Sequence, residues 1–338
     1  MQSISFTPSQ FNSSRFLSET MADANAYLGQ LNACSVNVVD ATLHQGPVLV
    51  LAAEGLCFEK IHQVQQALAS QLTVDGFRYS PMSQHCSTQA VIMDVSLLVD
   101  AAVIDVAALS KQFYVELALL EQRPTLSAPG LLVMDMDSTM IGCECIDEIA
   151  YLANVGEQVS EVTELAMQGK LDFAQSLHQR VACLTGIEVA LLQSIRDKLP
   201  LMPGLSLLVK TLQQAGWKIA IASGGFTYFA NYLRDRLELD AAVSNTLSMQ
   251  NGLLSGTVEG QVVDAKVKAQ ILQSLAEQWG IAHEQTIAMG DGANDLAMMK
   301  VAGLGVAFHA KPIVDKQAVA AIRIAGLDTL LHYLQPAE

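Results

Sequence analysis

The sequence has no run of about 18 or more apolar residues, so it predicts no membrane-spanning helix. It has no polybasic run, and its formal net charge is −15, so neither nucleic acid nor an anionic membrane is expected as a partner. The beginning lacks a basic segment followed by an apolar one, so no secretion signal is expected. Six cysteines, at positions 34, 57, 86, 143, 145 and 183, are too scattered to predict a disulfide framework and favour reduced thiols in the cytoplasm.

Apolar residues are plentiful, at 51% of the 338 residues against 16% charged residues, which is enough to build buried cores. This length predicts two or three domains. The first 40 residues are polar, rich in Ser and Asn and only weakly periodic, so their structure is poorly determined by the sequence.

Strand-like and helix-like patterns alternate from residue 46 onwards. Together they predict a βαββαβ, ferredoxin-like module within an N-terminal α+β domain over residues 1–125. Residues 124–130 (PTLSAPG) are a plausible linker after it. The predicted elements are strand Gly46–Ala53, helix Phe58–Gln71, strand Phe77–Tyr79, strand Val91–Val99, helix Ile104–Phe113 and strand Tyr114–Glu121.

Residues 129–338 have a different pattern, in which short and wholly apolar runs each precede polar or glycine-containing sequence and then helical spacing. Strands buried on both faces of a parallel sheet have this pattern, so a Rossmann-like α/β core is predicted. Residues 147–200 show helical spacing alone and are predicted to form a small helical cap inserted over the site. The apolar runs are Gly130–Met134, Trp217–Ala222, Gln285–Met289 and Leu304–Phe308.

Two carboxylates directly follow the first buried strand, in Asp135-Met136-Asp137-Ser138-Thr139. This spacing can provide one nucleophile and one general acid and base. An EF-hand calcium loop is excluded, because Thr139 and Met140 occupy the places where it needs a third acidic or amide residue and a glycine. Taken alone, the pair could also belong to a solvated turn.

Two further motifs follow the next strands. Ser223-Gly224-Gly225 can bring a hydroxyl and backbone amides close to an anion, although most such runs are turns. Gly290-Asp291-Gly292-Ala293-Asn294-Asp295 places carboxylates at a strand end and suits a hard cation such as Mg²⁺. Lys268 precedes this motif on a predicted helix, where a lone lysine is usually solvated.

In their order along the chain, these elements resemble the four motifs of the haloacid dehalogenase superfamily of phosphotransferases, over residues of about 129–335. The resemblance implies that Asp135 is the nucleophile and Asp137 the general acid and base. It implies Mg²⁺ held by Asp135, the Asp137 backbone carbonyl and Asp291. Ser223, the Gly224 amide and Lys268 would bind the phosphoryl group, and Asn294 would position the substrate or support the site.

The inserted segment is similar to the cap of phosphoserine phosphatases, through IGCECIDEIA at 141–150 and AMQGKLDFAQSLHQRV at 166–181. This likeness implies that Glu144 meets the substrate ammonium, Arg180 its carboxylate, and Met167 and Phe173 an apolar wall. Without the surrounding motif, the pattern would favour a surface position for Arg180 and core positions for Met167 and Phe173. Cys143 and Cys145 lack a second Cys or His pair, so a zinc site is not predicted.

The expected function is hydrolysis of O-phosphoserine to serine and phosphate through an aspartyl-phosphate, the last step of serine biosynthesis. The alternatives are a phosphatase or phosphomutase of the same superfamily with another small substrate, and a non-catalytic amino-acid sensor. In some relatives the N-terminal region is an ACT-type regulatory module, which has the βαββαβ order. A homodimer is left open as an assembly.

Overall fold

The computed structural model of the chain describes residues 2–22, 27–32, 35–39 and 46–336. The chain folds as two compact units, one of residues 1–127 with 307–338 and the other of residues 128–306. The five cysteines within the described ranges are free thiols. In the part of the chain that the structure describes, no helix is both long enough and apolar enough to cross a membrane.

The first unit contains one antiparallel sheet with helices packed against it. Its elements are β1 (Gln2–Ser5), α1 (Pro8–Phe11), α2 (Ser14–Ala22), β2 (Tyr27–Asn32), β3 (Ser35–Val39), β4 (Val48–Ala53), α3 (Phe58–Leu68), β5 (Leu72–Tyr79), β6 (Gln89–Leu97), α4 (Val106–Phe113) and β7 (Glu116–Leu120). The strand order in the sheet is β1-β3-β2-β5-β6-β4-β7.

The β4-α3-β5-β6-α4-β7 succession is the predicted βαββαβ order, and the prediction of an N-terminal α+β module is confirmed. Several predicted boundaries differ from the structure, and the largest difference lies between α3 and β5. Helix α3 ends at Leu68, and strand β5 begins at Leu72, five residues before the predicted strand. The pairing register of β5 with β6 shifts between Val74 and Gly76. This irregularity interrupts the alternation of apolar and polar residues by which strands are recognised.

Within residues 1–40, which the sequence left poorly determined, the described residues form β1, α1, α2, β2 and β3; residues 1, 23–26, 33–34 and 40 lie outside the description. Thr7 caps α1 by accepting the backbone N–H of Gln10 at 3.3 Å. Phe6 stacks on Phe58 of α3, with ring centroids 4.7 Å apart, so this early segment contributes to the core of the first unit.

The C-terminal segment of the first unit contains α13 (Pro312–Asp315), β14 (Ala320–Ile322) and α14 (Leu330–Tyr333). The buried Glu116 carboxylate of β7 accepts three consecutive backbone N–H groups, those of Arg323, Ile324 and Ala325, at 2.6–3.0 Å. His332 is fully buried and hydrogen-bonds Ser80 at 2.8 Å. Burial lowers the pKa of His332 to about 4.

The second unit alternates strands and helices. Its elements are β8 (Leu131–Met134), α5 (Cys145–Leu152), α6 (Gly156–Met167), α7 (Phe173–Ala182), α8 (Val189–Arg196), α9 (Leu205–Gln214), β9 (Lys218–Phe226), α10 (Thr227–Leu237), β10 (Ala241–Gln250), β11 (Leu253–Glu259), α11 (Ala265–Trp279), β12 (Thr286–Gly290), α12 (Leu296–Lys300) and β13 (Leu304–Phe308), whose last two residues belong to the first unit.

Strands β8, β9, β10 and β12 form a parallel sheet, in which β8 pairs with β9 on one side and with β12 on the other. A parallel sheet was predicted with β8, β9 and β12 among its strands, whereas β10 was not predicted. All four residues of β8 are buried, as expected for a central parallel strand covered on both faces. The carboxyl ends of β8, β9 and β12 therefore lie side by side, and the three sequence motifs that follow these strands meet at one edge of the sheet.

Helices α5 to α8 span Cys145–Arg196, which overlaps the predicted cap segment 147–200 and begins two residues before it. The loop between α7 and α8 pairs with the β10–β11 hairpin through backbone hydrogen bonds, from Gly186 to Leu254 and from Leu254 to Ile187, both 2.8 Å long. The hairpin itself was not predicted. Its turn is Asn251-Gly252, both with positive φ (53° and 79°), which is the commonest signal for a tight hairpin.

Candidate active site

Asp135 lies immediately after β8, and its backbone N–H donates to Met289 of β12 at 2.9 Å, so it extends the sheet ladder by one residue. Its carboxylate is nearly buried, and Oδ1 accepts the Met136 N–H at 2.7 Å. Ser138 then has a left-handed backbone, with φ of 57°, which turns the chain away from the sheet. Its hydroxyl donates to Glu144 Oε1 at 2.7 Å.

Lys268 lies on the first turn of α11, which Asp264 caps by accepting the Val267 N–H at 2.9 Å. The lysine side chain is 0% exposed, unlike the solvated lysine that its helical position suggested. Its Nζ lies 2.8 Å from Asp135 Oδ2 and 2.7 Å from Asp295 Oδ1. Burial opposes the charged form, but the two carboxylates outweigh it and raise the pKa of Lys268 above its ordinary value.

Asp291 and Asp295 follow β12, and one carboxylate oxygen from each lies within 4.8 Å of one from Asp135. Burial, with the Asp135 charge next, raises the pKa of Asp291 to about 6. Burial also raises the pKa of Asp295 to about 7, against the effect of Lys268. When ionised, three carboxylates against one ammonium leave two negative charges, so the site fits a divalent cation that prefers oxygen ligands.

Asp295 was not among the predicted site residues, although it is part of the same motif as Asp291. Its Oδ2 accepts the Gly292 N–H at 3.0 Å while Oδ1 binds Lys268, so both of its oxygens have partners. The signal that could have identified it is the spacing of four residues from Asp291, which returns the second carboxylate to the strand end through the short 3-10 turn Ala293–Asp295.

Asp137 lies beside the Ser-Gly-Gly loop (residues 223–225), which is the last part of β9 before Phe226. A Cβ added at Gly225 would lie 2.5 Å from Asp137 Oδ2, so only glycine leaves room for the carboxyl group. Asp137 Oδ1 accepts the Cys145 N–H at 3.2 Å. Burial, followed by the nearby Glu144 charge, raises the pKa of Asp137 well above its ordinary value, which favours a protonated carboxyl that can act as an acid.

Ser223 is buried at the carboxyl-terminal part of β9, and its Oγ accepts the Gly225 N–H at 3.0 Å. Phe173, from the beginning of cap helix α7, lies over the same loop. A Cβ added at Gly224 would lie 2.7 Å from the Phe173 ring. The cap therefore contacts the loop directly at Phe173.

The other cap residues differ in their position. Arg180 is half-buried, and its Nε has no hydrogen-bond partner among the described residues. Burial lowers the pKa of Arg180, while Asp147, Glu144 and Asp137 act in the opposite direction. The Arg180 guanidinium therefore lies near enough to the Glu144 carboxylate for their charges to interact.

Met167 and Asn294 are the remaining predicted site residues. Met167, at the end of α6, is 78% exposed. Asn294 folds back towards Gly292, where an added Cβ would meet its Oδ1.

A family model for haloacid dehalogenase-like hydrolases matches residues 130–303. A phosphoserine phosphatase of Haemophilus influenzae is 48% identical over 298 residues, which cover 86% of this chain and 94% of that protein. A phosphoserine phosphatase of Vibrio cholerae is 55% identical over 227 residues, covering 67% of this chain and 69% of that one.

The fold has relatives among solved structures as well. The crystal structure of a probable phosphoserine phosphatase from Vibrio cholerae, in its unliganded form, matches with a TM-score of 0.72 and 43% identity, over 85% of this chain and 86% of that one. The resemblance drawn from the sequence motifs is confirmed: the chain belongs to the haloacid dehalogenase-like hydrolases and, among them, to the family of the phosphoserine phosphatases.

Proposed function

We propose that the protein hydrolyses O-phospho-L-serine to L-serine and phosphate through an aspartyl-phosphate at Asp135, as the last step of serine biosynthesis. The observation that carries the proposal is the contrast between two neighbouring carboxylates. Asp135 is paired with the Lys268 ammonium at 2.8 Å. Asp137 has no such cation within hydrogen-bond distance among the described residues, and burial raises its pKa. One carboxylate is therefore kept as a nucleophile and the other as an acid.

In the first step, an Asp135 carboxylate oxygen forms a bond to phosphorus while the bond from phosphorus to the serine oxygen breaks, and Asp137 gives its proton to that oxygen. In the second step, Asp137 takes a proton from a water molecule, whose oxygen attacks phosphorus and releases Asp135. The Ser223 hydroxyl, the Gly224 amide and Lys268 bind the phosphoryl oxygens during both steps.

A Mg²⁺ ion is the proposed cofactor, held by the Asp135 carboxylate, the Asp137 backbone carbonyl and the Asp291 carboxylate. Bound there, it would offset the charge of the phosphoryl group. Support comes from the clustered carboxylate oxygens, whose negative charges repel one another, and from the raised pKa of Asp291. Asp295 would support the site through Lys268, because both of its oxygens already have partners.

The substrate's amino-acid end is assigned to the cap. Glu144 would accept hydrogen bonds from the substrate ammonium, and Arg180, whose Nε has no hydrogen-bond partner among the described residues, would donate to its carboxylate. Phe173, which lies over Gly224, would form the apolar wall together with Met167. Asn294 would position the substrate or support the site.

The organisation of the chain is part of the same proposal. Residues 1–125 would form an ACT-type module, and residues 129–338 would form the catalytic domain, with the cap over about 147–200. The βαββαβ order and the four helices α5 to α8 support this division up to residue 306, whereas residues 307–338 cluster with the first unit. The free cysteines are consistent with the cytoplasm as the location.

The test is a phosphate-release assay of the purified chain with Mg²⁺ against a panel of phosphate monoesters. We expect phosphoserine to be turned over best, and phosphothreonine less well because its extra methyl group must fit against the apolar wall. Asp135→Asn, which is nearly isosteric, should lose several orders of magnitude in kcat. If this variant retained more than about a tenth of wild-type turnover, the nucleophile assignment would be contradicted, since one decade is only about 1.4 kcal/mol.

A further inference from the structure

Asn245 lies on β10, outside every motif described above, and its side chain is 2% exposed. Its amide makes two hydrogen bonds to backbone groups that are distant in sequence. Nδ2 donates to the Gly224 carbonyl at 2.8 Å. Oδ1 accepts the Val263 N–H at 2.9 Å. The side chain therefore links the Ser-Gly-Gly loop to the segment that leads into α11.

One end of this link lies in the proposed phosphoryl site, and the other leads into the helix that carries Lys268. Val263 precedes Asp264, which caps α11, and the Lys268 N–H donates to the Asp264 carbonyl at 2.9 Å. Gly224 is the middle residue of the loop whose hydroxyl and amide are proposed to bind phosphoryl oxygens. Asn245 thus connects, through one rigid amide, the loop and the helix turn that carries the lysine.

The bond to Gly224 also orients the loop itself. In a trans peptide the carbonyl of Gly224 and the N–H of Gly225 point in opposite directions. With the carbonyl held by Asn245, the Gly225 N–H is directed to Ser223 Oγ, which accepts it at 3.0 Å. An Oγ that accepts from the loop has its own hydrogen free to donate to a phosphoryl oxygen.

An irregularity in strand β10 positions the Asn245 side chain. The parallel pairing of β10 with β9 shifts register between Val243 and Asn245, so that Asn245 lies opposite Phe226, immediately after the loop. Such irregularities redirect side chains and recur beside active sites. The two backbone groups need one donor and one acceptor on a short neutral side chain, and asparagine provides both.

We propose that Asn245 is a positioning residue, which fixes the Ser-Gly-Gly loop relative to Lys268 and orients the Ser223 hydroxyl for phosphoryl transfer. The inference rests on the proposed phosphatase function and adds to it a residue that touches neither substrate nor metal. Its effect is indirect and concerns only the groups that bind the phosphoryl group, so the turnover of every phosphate ester should depend on Asn245 equally.

The experiment compares Asn245→Asp and Asn245→Ala with the full-length wild type, using phosphoserine and p-nitrophenyl phosphate with Mg²⁺. The ionised aspartate keeps the acceptor for Val263 and loses the donor for Gly224. We expect kcat at about pH 8 to fall about 10- to 100-fold on both substrates, because a buried carbonyl loses its partner. Asn245→Ala should lose at least as much.

The aspartate variant adds a readout that a purely structural role would not move. Once protonated, its carboxyl group has both a donor and an acceptor, which is the asparagine pattern. The ratio of its kcat to that of wild type should therefore rise as the pH falls from about 8 to about 6, with no such rise for Asn245→Ala. Thr246→Val is the matched control. It removes a 3.3 Å hydroxyl contact from the next residue of the same strand and should change kcat less than about threefold.

Two results would overturn the inference. One is kcat within about threefold of wild type for both Asn245 variants. The other is a loss of kcat in the Asn245 variants that matches their unfolded fraction, measured by circular dichroism. A failure of both Asn245 variants to fold, while Thr246→Val folds, counts as the same result, since Asn245 would then serve stability alone. Wild type inactive on phosphoserine would instead refute the proposed function, so the two failures are distinguishable.

Discussion

Lys268→Met tests the electrostatic centre of the site, because methionine keeps most of the side-chain volume and removes the ammonium. In the native chain this ammonium is fully buried, 2.8 Å from Asp135 and 2.7 Å from Asp295. Its removal leaves two buried carboxylates without their cation, and breaking a buried pair in this way costs about 3–5 kcal/mol of unfolding free energy.

The loss of stability should depend on pH. The pKa of Asp295 is already about 7 with Lys268 beside it, and the lysine lowers that value. Without the lysine, Asp295 takes up a proton at neutral pH, which relieves part of the cost. We therefore expect a loss near 3 kcal/mol at about pH 6 and a larger one at about pH 8.5, measured by urea unfolding without added metal.

The same variant should lose about 100- to 1000-fold in kcat for phosphoserine, which is the usual effect of removing one preorganised group that binds developing charge. The assay is phosphate release at saturating Mg²⁺ and substrate, at a temperature where the variant is folded. Retention of more than about a tenth of wild-type kcat, or an unfolding free energy within about 1 kcal/mol of wild type at both pH values, would refute the role given to Lys268.

Three other predictions follow from the site and the fold. Arg180→Ala should lower kcat/KM about 30- to 1000-fold for phosphoserine and much less for p-nitrophenyl phosphate; equal losses on both substrates would remove Arg180 from substrate recognition. EDTA should abolish activity, and Asp291→Ala should raise the Mg²⁺ concentration required, as a titration of activity against Mg²⁺ would show. The buried His332 has a pKa of about 4 against its ordinary 6.5, so the unfolded chain binds the proton at a higher pH than the folded chain does. The free energy of unfolding should therefore fall, by up to about 3 kcal/mol, as the pH drops from about 6.5 towards 4. Urea unfolding of His332→Gln should show a flatter pH dependence.

The sequence predicted those parts of the fold whose signal is local. The run Gly130–Met134 is wholly apolar because β8 is buried on both faces, and the structure places the strand at Leu131–Met134. The module order was recovered in the same way, from alternating patterns between residues 46 and 121. The Asn251-Gly252 turn shows that a local signal can also be overlooked, since it marks the unpredicted hairpin β10–β11.

Burial of charged side chains could not be predicted in this way, because it depends on partners far away in the chain. Nothing around Lys268 shows that its ammonium lies between Asp135 and Asp295, which are 133 and 27 residues away. The same holds for Asn245, whose partners Gly224 and Val263 lie near the end of β9 and just before α11. The C-terminal segment is a third case, because the Glu116 carboxylate finds its N–H donors more than 200 residues later.

Electrostatics gives these separate observations a common reason. The whole chain has a net charge of −15, so its long-range field does not attract a phosphate monoester. The site adds its own carboxylates, among them Asp135, Asp291 and Asp295, around the buried ammonium of Lys268. Binding a dianionic phosphate there is unfavourable until a divalent cation is present, and the clustered carboxylates are in turn what would retain that cation. Metal and phosphate ester should therefore each increase the affinity of the other, because the coupling free energy between two ligands is reciprocal. The donors of the Ser-Gly-Gly loop and the cap arginine add no further negative charge, and the charge that Glu144 adds is the one proposed to meet the substrate ammonium.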